Sequence, residues 1–171
     1  SKANGDFLGL IELVEIIKPD QITLVPDELN QITSDHGWSQ GSHDEQLIDA
    51  IANIRNCSKN SKISLFIDNI EGVEYANRLN VELIEIYTGK FAKNISEGSE
   101  DVINEVANIV KSAKNMNLLV NAGHDLNLEN LNYLVMMSSI NEVSIGHAII
   151  VDSLHYGFEE TIKKYIKIIR S

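Results

Sequence analysis

The chain passes from apolar to polar within eight residues, Leu118-Leu119-Val120-Asn121-Ala122-Gly123-His124-Asp125. The apolar beginning predicts a buried strand, and the Asn-Ala-Gly-His ending brings groups that can do chemistry to the end of that strand. A second segment of the same build, Val143-Ser144-Ile145-Gly146-His147-Ala148, places its histidine 23 residues after the first one. That spacing fits one strand, one helix and the next strand. We therefore expect two neighbouring parallel strands, each delivering a Gly-His pair at the same edge of a sheet.

The order of strand and then helix occurs five times, after one leading helix. Strands are predicted at Gln21–Val25, Ile63–Asp68, Leu83–Gly89 and the two Gly-His segments. Helices are predicted at Asp6–Lys18, with Asp6 as N-cap, and at Asp44–Asn56, Glu71–Asn80, Ser99–Asn115, Leu128–Met137 and Gly157–Ile169. The strands are continuous Ile-, Val- and Leu-rich runs without regular polar alternation, which is typical of parallel strands covered on both faces. The pattern predicts an α/β fold in a single domain, residues 1–171.

The composition excludes several classes of function. With 25 acidic and 14 basic residues the formal net charge is −11, so the chain lacks the basic face that a nucleic-acid-binding protein needs. A few local donors are still enough to hold a small phosphorylated substrate. No apolar run approaches the roughly 20 residues of a membrane span, and the first residues do not have the layout of a signal peptide. The single cysteine, Cys57, excludes an internal disulfide and fits a reducing, cytoplasmic location.

Function in parallel α/β folds gathers at the carboxyl ends of the strands. In this chain those ends carry a polar set of residues: the loop with Thr33, then Asp68, Tyr87-Thr88-Gly89, Asn121-Ala122-Gly123-His124 and Gly146-His147. The loop from Asp27 to His43 is long for a compact domain, and such loops are usually functional or disordered. The sequence therefore predicts a site at this edge of the sheet.

The two histidines of the Gly-His pairs suggest different roles. His124 is a candidate general acid or base, since imidazoles exchange protons near neutral pH. The alternative is a packed histidine whose ring is satisfied by a backbone carbonyl. His147 begins a segment that continues apolar, so its main-chain N–H, together with Gly146, is a candidate cradle for a phosphate or oxyanion at a helix start.

Glu85 is the most informative carboxylate, because it lies between Ile84 and Ile86 in an otherwise apolar run. A charge in that position must reach water, a partner or a site. If it faces the inside of a barrel near the rim, it is a functional candidate. The alternative is an ion pair with a lysine on a covering helix. Asp68, also at a strand end, is interpreted as the N-cap of the next helix rather than as a catalyst.

A metal site is not expected. Asp35, His36, His43 and Asp44 offer ligand atoms, but their spacing matches no standard zinc pattern and no cysteine lies near them. Nothing in the sequence requires an organic cofactor either.

At these strand ends the chain resembles the pyridoxine 5′-phosphate synthase family of vitamin B6 biosynthesis. The resemblance extends from about Pro19 to the C-terminus and rests on five motifs in the family's order. They are Leu24-Val25-Pro26 followed by Ile32-Thr33-Ser34-Asp35-His36-Gly37-Trp38, then Ser64–Asp68, Ile84–Ala92, Val120–His124 and Ile145–Ile150.

The resemblance implies a TIM (β/α)8 barrel whose first three βα units are absent from this sequence. It also implies the condensation of 1-deoxy-D-xylulose 5-phosphate with 3-amino-2-oxopropyl phosphate to pyridoxine 5′-phosphate, inorganic phosphate and water. The family is homo-oligomeric, typically octameric. Five strands cannot close an eight-stranded barrel, so the chain is interpreted as the C-terminal part of a longer enzyme, and inactive by itself.

The resemblance also implies roles for individual residues. His124 matches the proton donor, Glu85 a glutamate that stabilises a transition state, and Thr33 a residue that binds the deoxyxylulose phosphate. Gly146 and His147 match the pair that holds the phosphate of the aminoketone. Asp125 stands at a substrate contact where relatives often have glycine; a carboxylate there would repel a phosphate, so its backbone is the expected contact. Tyr87 stands where many relatives have histidine.

Two other classes of function remain open at this point. One is another phosphate-binding TIM-barrel lyase or isomerase with the same arrangement at the rim, although such chemistry need not depend on both Glu85 and His124. The other is an inactive, truncated barrel that acts as an assembly module.

Overall fold

The protein is described by a computed structural model that covers residues 8–27, 31–41, 44–99, 101–137 and 139–171. Strands and helices alternate along most of the chain. In order, they are α1 (Leu10–Ile17), β1 (Gln21–Leu24), α2 (Asp44–Cys57), β2 (Lys62–Ile67), α3 (Ile70–Arg78), β3 (Leu83–Tyr87), α4 (Gly89–Ser96), α5 (Asp101–Asn115), β4 (Leu119–Gly123), α6 (Leu131–Val135), β5 (Glu142–Ser144), α7 (His147–Tyr156) and α8 (Phe158–Ile169).

The described strands form one five-stranded sheet in the order β1-β2-β3-β4-β5, and every neighbouring pair is parallel. Each strand is therefore followed by at least one helix before the next strand pairs with it. The predicted α/β class and the parallel sheet are confirmed. β1 and β5 are the edges of the sheet, because each pairs with only one described neighbour.

The two faces of the sheet differ in chemistry. One face lies under the helices and is aliphatic; its side chains are at most 6% exposed and comprise Ile22, Leu24, Ile63, Leu65, Ile67, Ile84, Ile86, Val120 and Ala122. The opposite face carries Gln21, Thr23, Ser64, Glu85 and Asn121 among its side chains, as the pairing register requires. The strands thus alternate between aliphatic and more polar positions, which their Ile-rich composition concealed.

The sheet curls toward its polar face. Asn121 on β4 donates a hydrogen bond from Nδ2 to Oε1 of Gln21 on β1, at 3.1 Å. These strands are three positions apart, which in a flat sheet is a separation of roughly 14 Å. A direct side-chain contact across that distance requires strong curvature, as in a barrel wall. The polar residues therefore lie on the concave face of a half-barrel.

Several predicted helix ends are wrong by a few residues. α1 begins at Leu10 and its N-cap is Gly9, whose N–H donates to Glu12 Oε2 at 2.9 Å; Asp6, the predicted cap, lies outside the described residues. Asn69, rather than Asp68, caps α3 by accepting a hydrogen bond from Gly72 N at 2.9 Å. The Asp68 side chain instead accepts a hydrogen bond from Asn69 Nδ2 at 2.8 Å.

Two helices were not predicted. α4 starts immediately after β3, where the sequence interpretation had no helix before Ser99. α7 occupies part of what was expected to be the second Gly-His strand, so β5 is limited to three residues, Glu142–Ser144. Within the described part of the chain, no helix is long and apolar enough to cross a membrane.

Candidate active site

The loop after β1 is fixed to the sheet by Trp38. Its indole N–H donates to Leu24 O and its main-chain N–H to Phe66 O, both at 2.8 Å. The preceding residue must be glycine, since a Cβ on Gly37 would overlap the main chain of Ile67 and Asp68. These contacts hold the loop against the carboxyl ends of β1 and β2, and they bring Thr33 toward the rim of the concave face.

Glu85 lies on the concave face of β3. Its Oε2 accepts a hydrogen bond from Thr23 Oγ1 at 2.9 Å. Its other carboxylate oxygen occupies space next to β4, where a Cβ on Gly123 would lie only 2.6 Å from Oε1. No ion pair between Glu85 and a lysine exists in the described structure, so the alternative that placed this carboxylate against a covering helix is wrong.

The turn that follows β4 has an unusual backbone. His124 has φ 96° and Asp125 has φ 57°, both in the region that non-glycine residues seldom adopt. Thr88, which is fully buried, fixes this turn by donating from N to Gly123 O at 2.9 Å and from Oγ1 to His124 O at 2.6 Å. Asn130 Nδ2 donates to Asp125 O at 3.1 Å. Such strain persists only where surrounding contacts hold it, and it is frequent at functional sites.

The imidazole of His124 contacts three other side chains. Its Nε2 lies 2.9 Å from Thr33 Oγ1, a contact between residues 91 positions apart in the chain. The edge of its ring meets the ring of Tyr87, with centroids 5.0 Å apart and planes at 70°. Its Nδ1 is buried and lies 3.0 Å from Asp125 Oδ2, but the two groups are not aligned as a hydrogen bond. Nδ1 forms no hydrogen bond with any other described residue either. The alternative of a ring satisfied by a backbone carbonyl is therefore wrong.

The ring of Tyr87 lies against one side of the His124 imidazole. Burial is the main cause that raises the pKa of its phenol, and the negative charges of Asp125, Asp35 and Asp68 raise it further. The hydroxyl therefore stays protonated and uncharged at neutral pH. Tyr87 offers the site an aromatic surface and a neutral donor.

The second Gly-His pair lies beside the first, at the start of α7. Ser144 pairs with Gly123, so the segments that follow β4 and β5 leave the sheet next to each other. Gly146 is the N-cap of α7 and has no side-chain cap. Apart from the two neighbours of Gly146 in the chain, no described residue has an atom within 4 Å of the place of a Cβ there, and His147 is exposed. The first N–H groups of a helix lack partners within the helix and attract anions.

A cavity of about 650 Å³ opens next to this helix start. Lys93, Asp125 and His147 are among its lining residues, whereas His124, Glu85 and Thr33 are not. The site residues therefore divide between two adjoining spaces. One is the concave rim with the imidazole and the glutamate; the other is the cavity at the start of α7.

The group considered for metal binding does not come together in the described structure. No set of three histidine, cysteine, aspartate or glutamate residues suited to a metal is found there. His36 Nδ1 contacts Asp35 Oδ1 at 2.7 Å, and Asp44 on α2 accepts a hydrogen bond from the Tyr75 hydroxyl. His43 lies outside the described residues.

Four residues of the site received no individual role in the sequence interpretation: Thr23, Trp38, Thr88 and Gly123. Thr88 and Gly123 were named only among the strand ends, and Trp38 only within the loop after the first strand. Thr23 could have been found from the alternation of strand residues, because it lies two positions from Gln21 on the same face. The roles of Trp38 and Thr88 depend on contacts with distant backbone groups, which no local pattern reveals.

Comparison with known proteins supports the family resemblance. Residues 7–171 match the family model of the pyridoxal phosphate biosynthesis protein PdxJ. Three relatives are each called pyridoxine 5′-phosphate synthase. That of Cytophaga hutchinsonii is 42% identical over 95% of this chain and 67% of its own length. Those of Christiangramia forsetii and Xanthomonas axonopodis pv. citri are 39% and 37% identical, over 94% and 98% of this chain and 68% and 66% of their own.

One similar solved structure supports the fold of this chain but, at its low sequence identity, says nothing about function. The crystal structure of the HMG-CoA lyase from Brucella melitensis superposes with a TM-score of 0.51 over 77% of this chain and 52% of that one, at 15% identity.

The family match covers nearly the whole sequence, and this chain spans about two-thirds of the length of the synthases it matches. The expected family is thereby confirmed: the chain belongs to the PdxJ family of pyridoxal phosphate biosynthesis proteins, a family of pyridoxine 5′-phosphate synthases.

Proposed function

We propose that this chain carries the catalytic rim of a pyridoxine 5′-phosphate synthase. The reaction joins 1-deoxy-D-xylulose 5-phosphate to 3-amino-2-oxopropyl phosphate and releases inorganic phosphate and water. The observation that carries the proposal is the contact of Thr33 with His124, at 2.9 Å, beside the concave face that holds Glu85. An acid–base group and a hydroxyl thus meet beside a concave face that holds a carboxylate, where parallel α/β enzymes bind substrates.

His124 serves as the proton donor at Nε2. Imine formation between the amine and a ketone, the eliminations of water and phosphate, and ring closure all require protons to move between carbon, nitrogen and oxygen atoms. The side chain of His124 is only 19% exposed, so few solvent molecules compete with the substrate for its proton. Thr33, which is hydrogen-bonded to the same nitrogen, binds the deoxyxylulose phosphate and orients it toward the imidazole ring.

Glu85 stabilises the positive charge that develops when the amine condenses. Thr23 holds one carboxylate oxygen at 2.9 Å, and Gly123 leaves space for the other. A carboxylate fixed before the substrate arrives stabilises charge at little cost of reorganisation.

The start of α7 holds the phosphate of the aminoketone. The uncapped N–H groups after Gly146 provide donors, and α7 has no acidic residue in its first turn that would compete with an anion. His147 contributes through its main chain. Lys93 lines the same cavity and adds a positive charge. Asp125 contacts the substrate through its main chain.

Activity requires a complete (β/α)8 barrel, to which three further βα units add the strands between β5 and β1. Both edges of the described sheet, β1 and β5, have one strand partner each, and open edges are a liability in isolated proteins. The complete enzyme is cytoplasmic and forms a homo-oligomer, consistent with the large apolar side chains that α7 exposes, such as Ile150 at 61% and Leu154 at 82%.

The test is an assay of pyridoxine 5′-phosphate formation from the two substrates. We expect product from a longer chain that includes three preceding βα units, and none from the 171-residue chain alone. His124→Ala in the longer chain provides the background rate. Product from the short chain would contradict the need for a complete barrel, whereas no product from the longer one would contradict the synthase.

A further inference from the structure

We propose that Asp125 is a positioning residue for His124. Its carboxylate keeps the proton of the neutral imidazole on Nδ1, so that Nε2 is the nitrogen that exchanges protons with the substrate. The inference rests on the proposed function, in which His124 is the acid–base group. It adds a specific role for the side chain of Asp125, beyond the main-chain contact.

The two nitrogens of His124 have different surroundings. Nε2 faces Thr33 Oγ1 at 2.9 Å, at the rim where a substrate binds. Nδ1 is buried and without a hydrogen bond to any described residue, while the carboxylate of Asp125 lies 3.0 Å away. The hydrogen bond made by one imidazole nitrogen determines which nitrogen carries the proton. A carboxylate beside Nδ1 accepts a hydrogen bond from an N–H there and cannot donate one.

The carboxylate can reach the required alignment. Its separation from Nδ1 already equals that of an N–H···O hydrogen bond. The side chain is 45% exposed, and the terminal torsion of aspartate has a broad energy minimum, so rotation of the carboxylate has room and a small cost. The backbone is fixed meanwhile, because Asn130 holds the carbonyl of Asp125 and aspartate tolerates the φ of 57°.

The resulting array runs from Thr33 through His124 to Asp125. With the proton on Nδ1, the lone pair of Nε2 accepts a hydrogen bond from the threonine hydroxyl or a proton from the substrate. When Nε2 has taken a proton, the nearby carboxylate offsets the positive charge of the ring until the proton returns to a leaving group. Proton uptake and release at Nε2 balance over the cycle, and no external acid is required.

The same carboxylate carries a disadvantage for binding. Asp125 and His147 line one cavity, so the negative charge lies near the proposed phosphate position and repels it. Its removal should therefore strengthen binding and weaken catalysis. A fall in both KM and kcat, which means tighter binding with slower turnover, distinguishes a positioning residue from one that merely stabilises the turn.

The direct test is the tautomer of His124, measured by ¹⁵N NMR of histidine-labelled protein at an alkaline pH, where imidazoles are neutral. A spectrum of His124→Gln assigns the signal. We expect the Nδ1–H form in the wild type and a several-fold increase of the Nε2–H form in Asp125→Gly, with Asp125→Asn intermediate. Glycine suits the backbone at this position, so the variant should fold. Glu129→Gln removes a charge from the same loop and should leave the tautomer unchanged.

The kinetic test uses the same variants of the complete enzyme. We expect Asp125→Gly to lower kcat by about tenfold to a hundredfold, as loss of a supporting hydrogen-bond partner does elsewhere, and to lower the KM for the aminoketone phosphate. An unchanged tautomer, or an altered tautomer with unchanged kcat, would overturn the inference. If the wild type forms no product, the proposed function fails, while the tautomer still decides whether Asp125 controls the ring.

Discussion

The two Gly-His pairs have the same sequence and occupy neighbouring strand ends, but their environments are opposite. Gly123 is buried and has no room for a side chain, whereas Gly146 is exposed and, apart from its chain neighbours, no described residue comes within 4 Å of the place of a Cβ. His124 lies in a strained turn with its ring against Thr33 and Tyr87. His147 is an exposed first residue of a helix.

This difference shows how one motif can present two kinds of chemistry. After β4 the chain turns sharply, with positive φ at two residues, and the turn directs an imidazole side chain to the concave face. After β5 the chain enters a helix at once, and the helix start presents main-chain N–H groups. The first pair is built to deliver a side chain and the second to deliver backbone donors.

The largest expected effect is the difference in kcat between substitutions of the two histidines. His124→Ala in the complete enzyme should lower kcat by about 10²- to 10⁴-fold, the usual contribution of a general acid or base. His147→Ala should change kcat less than about threefold and keep the phosphate site, since only its main chain is used. Steady-state kinetics with both substrates measures the two effects.

Circular dichroism and thermal unfolding provide the control for this pair, because both variants should keep the fold. Near-normal turnover in His124→Ala would contradict the acid–base role. A loss in His147→Ala as large as that in His124→Ala would show that the second imidazole takes part directly.

The next largest difference is expected between substitutions at the two glycines, Gly123 and Gly146. Gly123→Ala forces the Glu85 carboxylate and the Ser144 side chain aside, since the new methyl would lie 2.6 Å from the first and 3.0 Å from the second. We expect a loss of stability of about 1–3 kcal/mol from overpacking and a fall in kcat, because Glu85 no longer holds its position.

Gly146→Leu is the matched substitution at the second glycine. We expect a change in stability within about 0.5 kcal/mol, as for other surface positions, and a marked rise in the KM for the aminoketone phosphate. Chemical denaturation and initial rates measure both quantities. Unchanged substrate affinity in this variant would contradict a phosphate site at the start of α7.

The sequence predicted the parallel α/β fold because the aliphatic runs and the turns between them are local features. The sequence interpretation considered a helix start at His147 but assigned no helix to the residues of α7, since Ala148-Ile149-Ile150-Val151 is rich in β-branched residues, which favour strands. In the structure the sheet pairing of β5 ends at Ser144, and these residues lie beyond it in a helix. The site was predicted as a set of strand ends. The hydrogen bond between Thr33 and His124 could not be predicted, because it joins residues 91 positions apart and depends on the contacts that Trp38 makes with the sheet.

A smaller effect is expected from the residue that holds the first turn. Thr88→Val removes the hydroxyl that donates to His124 O at 2.6 Å, with little change in shape. Loss of one such hydrogen bond should destabilise the protein by about 1 kcal/mol, and the relaxed turn should lower kcat without changing the KM for the aminoketone phosphate. Urea denaturation gives the first value. A rise in that KM alone would indicate that Thr88 supports the second pair instead.

The smallest effect concerns stability at alkaline pH and the phenol of Tyr87, whose ring meets that of His124. Burial, aided by Asp125, Asp35 and Asp68, raises the pKa of Tyr87 above its ordinary value of about 10. The folded protein therefore holds this proton more tightly than the unfolded chain, and the resulting stability is complete below about pH 10 and declines as the pH rises toward the folded value.

Tyr87→Phe removes this contribution, so its free energy of unfolding should decline less steeply above about pH 10 than that of the wild type. A decline remains in the variant, since burial also raises the pKa of Tyr75, to about 12, and that of Tyr165. Tyr156→Phe, at a half-exposed ring that lines the cavity with His147, controls for the loss of a hydroxyl. Urea denaturation between pH 8 and pH 11 measures how the free energy of unfolding declines with pH. Equal slopes in Tyr87→Phe and the wild type would contradict a contribution of the Tyr87 phenol to stability at alkaline pH.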